Sequence, residues 1–200
     1  MTVQFRFTCL HEDMNMKTSA FVPLLLLLSL HAGAVDAPLA NAGKPLATIA
    51  ALDVPRYMGT WYEIAKFPNR FQKKCAGFTT ATYSALADRA LQVVNRCRSA
   101  NGDTEEAVGA ARQVGGPDSP RLKVRFAPAL LSFLPMVWGD YWVVDLDPGY
   151  QLAAVSDAQR AYLWILSRSP KVDKARYDAL VARLAGQGLD VSKLVLTRQE

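Results

Sequence analysis

Histidine is the scarcest reactive residue in this chain of 200: only His11 and His31 occur, and both precede Val35. Cysteine is nearly as sparse, at Cys9, Cys75 and Cys97. Charge of one sign is also in short supply. Lys and Arg exceed Asp and Glu by 23 − 18 = 5, a dispersed excess too small to argue for nucleic acid and suited to an anionic lipid surface or an acidic ligand. No apolar stretch reaches the about 20 residues that a transmembrane helix needs. No repeat of solenoid period is present. What is there is ordinary: the chain is 50% apolar and 20% charged, with four Trp and seven Tyr. That excludes disorder, collagen and coiled coil, and the length fits one domain.

The beginning is a different material. Lys17 precedes an apolar run from Phe21 to Leu30 that contains Leu24 to Leu28, and small residues follow. This charged, apolar, small order is that of a secretory signal. Residues 1–37 read as that signal, with cleavage between 34 and 42 and Met14 or Met16 as alternative starts. Removing it removes both histidines. A mature chain without histidine has no Ser-His-Asp or Cys-His unit and no His-ligated metal. Cys9 precedes the apolar run, so it is not a lipid-accepting cysteine, and none follows closely. The expectation is an exported, periplasmic protein without a lipid anchor, with no metal and no cofactor, and with Cys75 and Cys97 free to form one disulfide in an oxidising compartment.

Residues 38–51 read as an extended lead-in, and residues 52–200 as one domain. From Trp61 onward, β-favouring runs are broken by turn residues every eight to twelve positions: Trp61–Phe67, Phe78–Leu86, Leu91–Cys97, Glu105–Val114, Arg121–Ala127, Asp140–Leu146, Tyr150–Ser156 and Tyr162–Ser167. Eight such runs with short links make a meander, and a meander that closes becomes an edgeless up-and-down barrel. One helix follows. Ser169-Pro170 reads as its start, Tyr177, Leu180, Val181 and Leu184 as its apolar stripe, and Gly186 with Gly188 as its end. The stripe is expected to pack on the outside of the barrel, and Lys193–Thr197 to add to an edge.

Three motifs carry a resemblance. Gly59-Thr60-Trp61-Tyr62, then Asp140-Tyr141-Trp142 with Asp145 and Asp147, then Leu163-Trp164-Ile165-Leu166-Ser167-Arg168 resemble the lipocalin signatures in order and spacing. Ser167-Arg168-Ser169-Pro170 and Gly188–Lys193 look most like the bacterial branch, outer-membrane lipoproteins of the Blc kind. The implied fold is all-β: an eight-stranded antiparallel up-and-down barrel with one C-terminal α-helix on its outside. The lipocalin pattern implies an inward face of Ala81, Tyr83, Val93, Asn95, Val124, Phe126, Tyr141, Val143, Ala153, Val155, Tyr162, Trp164 and Leu166. That set suits a lipid tail.

Strand direction sorts the remaining candidates. The first strand's start and the eighth strand's end share one barrel end, so Trp61 and Arg168 can meet as a cation–π pair that closes it. Loops after odd-numbered strands lie at the opposite, open end. There Arg70, Lys73 and Lys74 offer head-group contacts, and Cys75 can reach Cys97. The loop from Pro128 to Trp138, with Leu131 and Phe133, is apolar apart from Ser132 and two prolines. A loop normally faces water, so this one reads as an inward lid, a peripheral membrane contact or a homodimer interface. Asp145, in the inward register of the sixth strand, reads as structural.

The function that follows is binding, storage or transport of fatty acids, lysophospholipids or similar amphiphiles in the bacterial cell envelope, for membrane maintenance. The alternative is an enzyme, such as a lipocalin-type isomerase or de-epoxidase acting on a lipid or carotenoid. Without histidine it would depend on carboxylates, a tyrosine or a free thiol.

Overall fold

A computed structural model describes residues 44–87 and 90–200. The expected signal and its cleavage sites lie outside the described residues. Among those described, no helix is long and apolar enough to cross a membrane.

A short helix, α1 (Val54–Tyr57), precedes the barrel, with the Asp53 carboxylate accepting from the Arg56 amide at its start. The strands are β1 (Gly59–Lys66), β2 (Cys75–Ala85), β3 (Ala90–Ser99), β4 (Thr104–Gln113), β5 (Arg121–Arg125), β6 (Gly139–Leu146), β7 (Leu152–Ser156) and β8 (Leu163–Ser167). Each pairs antiparallel with the next, and β1 pairs with both β8 and β2, which closes the barrel. The meander forms because alternating residues bury an inner face while the outer face stays polar, except where α2 (Lys174–Gly186) covers it.

Two apolar cores result. One fills the barrel with Trp61, Tyr83, Val93, Val143, Val155 and their neighbours. The other lies outside, where Leu180 and Leu184 of α2 meet Ala65, Val144, Ala154, Leu163 and Ile165. Tyr177 and Val181 flank that contact as the 3.6-residue stripe requires.

Three expectations need correcting. The helix starts at Lys174 rather than at Ser169-Pro170, because Asp173 caps the Arg176 amide. Asp145 faces out rather than in. A bulge between Val143 and Asp145 shifts the register, so Asp145 pairs across from Ala154 and its carboxylate takes both Nε (2.7 Å) and Nη2 (2.9 Å) of Arg183 on α2. The last strand, β9 (Val195–Leu196), does more than extend an edge. β1 and β2 pair only over Gly59–Tyr62 and Thr80–Tyr83, then separate toward the open end. The tail enters that seam. β9 pairs with Ala65 and Lys66, the Phe78 amide donates to the Arg198 carbonyl, and the Gln199 amide bridges the carbonyls of Glu63 and Thr79.

Candidate functional site

The closed end is built around Trp61, which is fully buried. Its indole N–H donates to the Tyr57 carbonyl (2.9 Å), and Arg168 stacks on its ring at 3.9 Å. The Arg168 guanidinium then donates to the carbonyls of Thr60, Arg56 and Met58 at 2.8–2.9 Å. Arg168 is thus occupied by the chain's own backbone. Gly59 is required by its backbone, held at φ +92°, rather than by space, since a Cβ there would meet Arg168 Nη1 at an ordinary 3.4 Å. Asp140 lies on the outer wall, paired with Lys123 at 2.7 Å.

Above this base a hydroxyl bridge crosses the barrel. Tyr83 reaches in from β2, Tyr141 from the opposite wall on β6, and Tyr57 from α1 below. The Tyr141 hydroxyl lies 2.8 Å from that of Tyr83 and 2.9 Å from that of Tyr57. Burial pushes all three phenols up, Tyr83 to about 12, so they stay protonated at any physiological pH.

The sequence-predicted inner face divides by height. Tyr83, Val93, Val143, Ala153, Val155 and Leu166 are buried and pack the lower barrel. Ala81, Val124, Tyr141 and Trp164 pack against the same core but remain partly open, and Asn95 shares the inner register with Ala81. Phe126 lies over Gly109 in the inner register yet is 43% exposed. A Cβ on Gly109 would sit 2.7 Å from that ring, so glycine is what admits it. Tyr162 stands at the rim in a ring column, 5.7 Å from Trp164 and 5.6 Å from Phe71.

Sequence reasoning left other wall residues unassigned. Ala107, Gly109 and Ala111 line β4 opposite Asn95, Val93 and Leu91. They were hidden because small residues occupy both faces of that strand. Near the mouth Glu63 is buried, takes Gln72 Nε2 (2.5 Å) and Thr197 Oγ1 (2.6 Å), and pairs with Lys66 at 3.0 Å. Gln72 in turn accepts from the Trp164 indole at 3.0 Å. The period of two from Trp61 points to Glu63; the bulge after it, which turns Lys66 inward opposite Trp164, has no sequence signal.

At the open end Arg70 and Lys73 are exposed, and Lys74 reaches Glu105 only at 3.9 Å. Cys75 and Cys97 are joined by a disulfide. The Pro128–Trp138 loop does not fold inward as a lid. Trp138 lies against the outer-wall cations Arg112 (4.4 Å) and Arg125 (5.3 Å), beside a hollow of about 150 Å³ lined by Phe133 and Lys123. The packing of Trp138 on the outer wall leaves Leu130 and Phe133 75% exposed and Met136 87% exposed, with Leu131 half-buried.

Comparison with known proteins places these features in context. Residues 52–199 match the lipocalin-like domain family. Temperature-induced lipocalin-1 of Arabidopsis thaliana is 42% identical over 78% of this chain and 84% of its own length. The outer membrane lipoprotein Blc of Escherichia coli (strain K12) is 38% identical over 74% and 79% respectively. Among solved structures, insecticyanin from the tobacco hornworm Manduca sexta superposes with a TM-score of 0.60, covering 76% of this chain and 84% of its own at 19% identity. Lobster apocrustacyanin A1 reaches 0.57 over 74% and 80%, at 16% identity.

Proposed function

This chain belongs to the lipocalin family, and from that membership and its barrel we propose that it binds, stores or carries a lipid amphiphile in the cell envelope. The ligand class is fatty acids, lysophospholipids or similar molecules, taken up after export to the periplasm without a lipid anchor. One observation carries the reading. The upper inner wall, though Asn95 and Lys66 interrupt it, is mostly apolar and aromatic and partly open to solvent, as Phe126 on Gly109 illustrates. A wall of that kind gains by covering itself with an alkyl chain, at about 25 cal/mol per Å² buried. The relatedness to an outer membrane lipoprotein supports an envelope setting.

The mouth supplies the other half of an amphiphile's needs. Arg70, Lys73 and Lys74 are solvent-exposed cations beside the ring column of Phe71, Tyr162 and Trp164. They suit an anionic head group while the tail occupies the barrel. Leu130, Phe133 and Met136 project from the loop between β5 and β6 and suit the surface from which such a lipid is drawn.

Neutralising Arg70, Lys73 and Lys74 together is expected to weaken binding of an anionic lysophospholipid roughly tenfold, since exposed pairs are worth about 0.2–1 kcal/mol each. The loss should be larger at low salt. Leu131→Ser with Phe133→Ser should reduce association with anionic vesicles while the melting temperature holds. Vesicle co-sedimentation and lipid titration read both. Parent-like behaviour in both sets would overturn the mouth assignment.

A further inference from the structure

The hydroxyl bridge has more hydrogen-bonding capacity than it uses. Three phenols bring three O–H donors and six lone pairs. The two contacts, Tyr57 with Tyr141 and Tyr83 with Tyr141, consume two donors and two lone pairs. One O–H proton and several lone pairs are left over, in a setting made of Trp61, Val143, Val155 and Leu166. A donor in apolar surroundings without an acceptor is costly.

Geometry puts the spare capacity in the path of a ligand. Tyr83 and Tyr141 come from strands on opposite sides of the barrel, so their hydroxyls meet in its interior rather than at its wall. Tyr141 is only half-buried. A ligand chain held by the upper wall at Phe126 and Trp164 would end at these oxygens. Among the described residues no carboxylate or amine touches them, and the neighbouring charge is Arg168 beyond the Trp61 ring, which favours an electron-rich group above.

We propose that the hydroxyls of Tyr57, Tyr83 and Tyr141 form a polar anchor for a neutral oxygen at the buried end of the ligand, so that the preferred lipid carries a hydroxyl or carbonyl at the end remote from its head group. This rests on the reading of the barrel interior as a lipid site. A hydroxyl fits best, because it accepts the spare proton and donates to a free lone pair. A methyl-ended tail satisfies neither. A carboxylate at the floor would be desolvated with no cation in contact, so the charged end belongs at the mouth.

The test uses the mature protein and matched ligand pairs: dodecanoic and hexadecanoic acids against their ω-hydroxy counterparts, by calorimetry or by displacement of a fluorescent fatty acid. The ω-hydroxy acid of at least one pair is expected to bind about tenfold tighter, the worth of one well-made buried hydrogen bond. In the combined variant Tyr57→Phe, Tyr83→Phe, Tyr141→Phe, all three rings stay and no orphaned hydroxyl remains. It is expected to lose the preference, binding the plain and the ω-hydroxy acid of each pair alike. Equal affinity within every pair for the parent overturns the anchor and needs no variant to fold. A preference that survives in the folded triple variant overturns it as well. If no acid binds the parent at all, the lipid-site reading itself fails, and the anchor with it.

Discussion

Trp61→Ala is expected to remove about 3–5 kcal/mol of folding stability, the usual cost of emptying a site of this size. The indole is fully buried at the closed end. It packs 4.8 Å from the Tyr57 ring and carries the Arg168 guanidinium over its own ring. Truncation therefore opens a cavity under the barrel floor and strips Arg168 of its platform. The guanidinium's carbonyl acceptors on Arg56, Met58 and Thr60 hold it in place without a ring to cover it. For a domain of this length the loss corresponds to about 6–20 °C in melting temperature. The whole barrel should loosen, with ligand binding falling only as folding does. An unchanged melt together with abolished lipid binding would make Trp61 a ligand contact instead.

The second large effect is at the other end. Cys75→Ser with Cys97→Ser is expected to cost about 3 kcal/mol, as removal of a cross-link over 22 residues does in the chain-entropy model. Position adds to the argument. The mouth end of β2 has left β1, so on that side, among the described residues, it is held by the tail, through Phe78 to Arg198 and Gln199 to Thr79. On the other side lie β3 and the disulfide. Without the bond, the stretch from Cys75 to Thr79 should fray first. Hydrogen exchange localised there, with a lowered denaturation midpoint, is the expected signature. A midpoint unmoved by reduction would show that the tail and β3 suffice.

How much of this was legible in the sequence follows from what each feature depends on. Period-two burial is written residue by residue, so all eight barrel strands follow from pattern and resemblance, and so does the inner register from β2 to β8 except on β4, where small residues on both faces leave Ala107, Gly109 and Ala111 unmarked. The meeting of Trp61 with Arg168 needs only strand direction. Features that depend on one inserted residue are invisible. The bulge after Val143 turns Asp145 toward Arg183, and the bulge after Glu63 turns Lys66 inward. Both break an alternation that the sequence continues without a mark. The tail in the β1–β2 seam is a third case, since Thr197 and Gln199 read as ordinary polar residues until a gap exists for them. Tyr57 belongs to a four-residue helix too short for periodicity to reveal, yet it completes the hydroxyl bridge. The outer-wall packing of Trp138 likewise depends on Arg112 and Arg125 coming together from two strands.

The central claim is that the barrel holds one amphiphile and returns it unchanged. Native mass spectrometry of the mature protein, purified from the envelope fraction without detergent, tests it most directly. The account predicts the mature chain, free of covalent acyl groups, carrying one noncovalent lipid mass that leaves intact on activation and is regained on incubation with lysophospholipid. A chain that never carries or regains lipid, or that releases a chemically altered product, would contradict it.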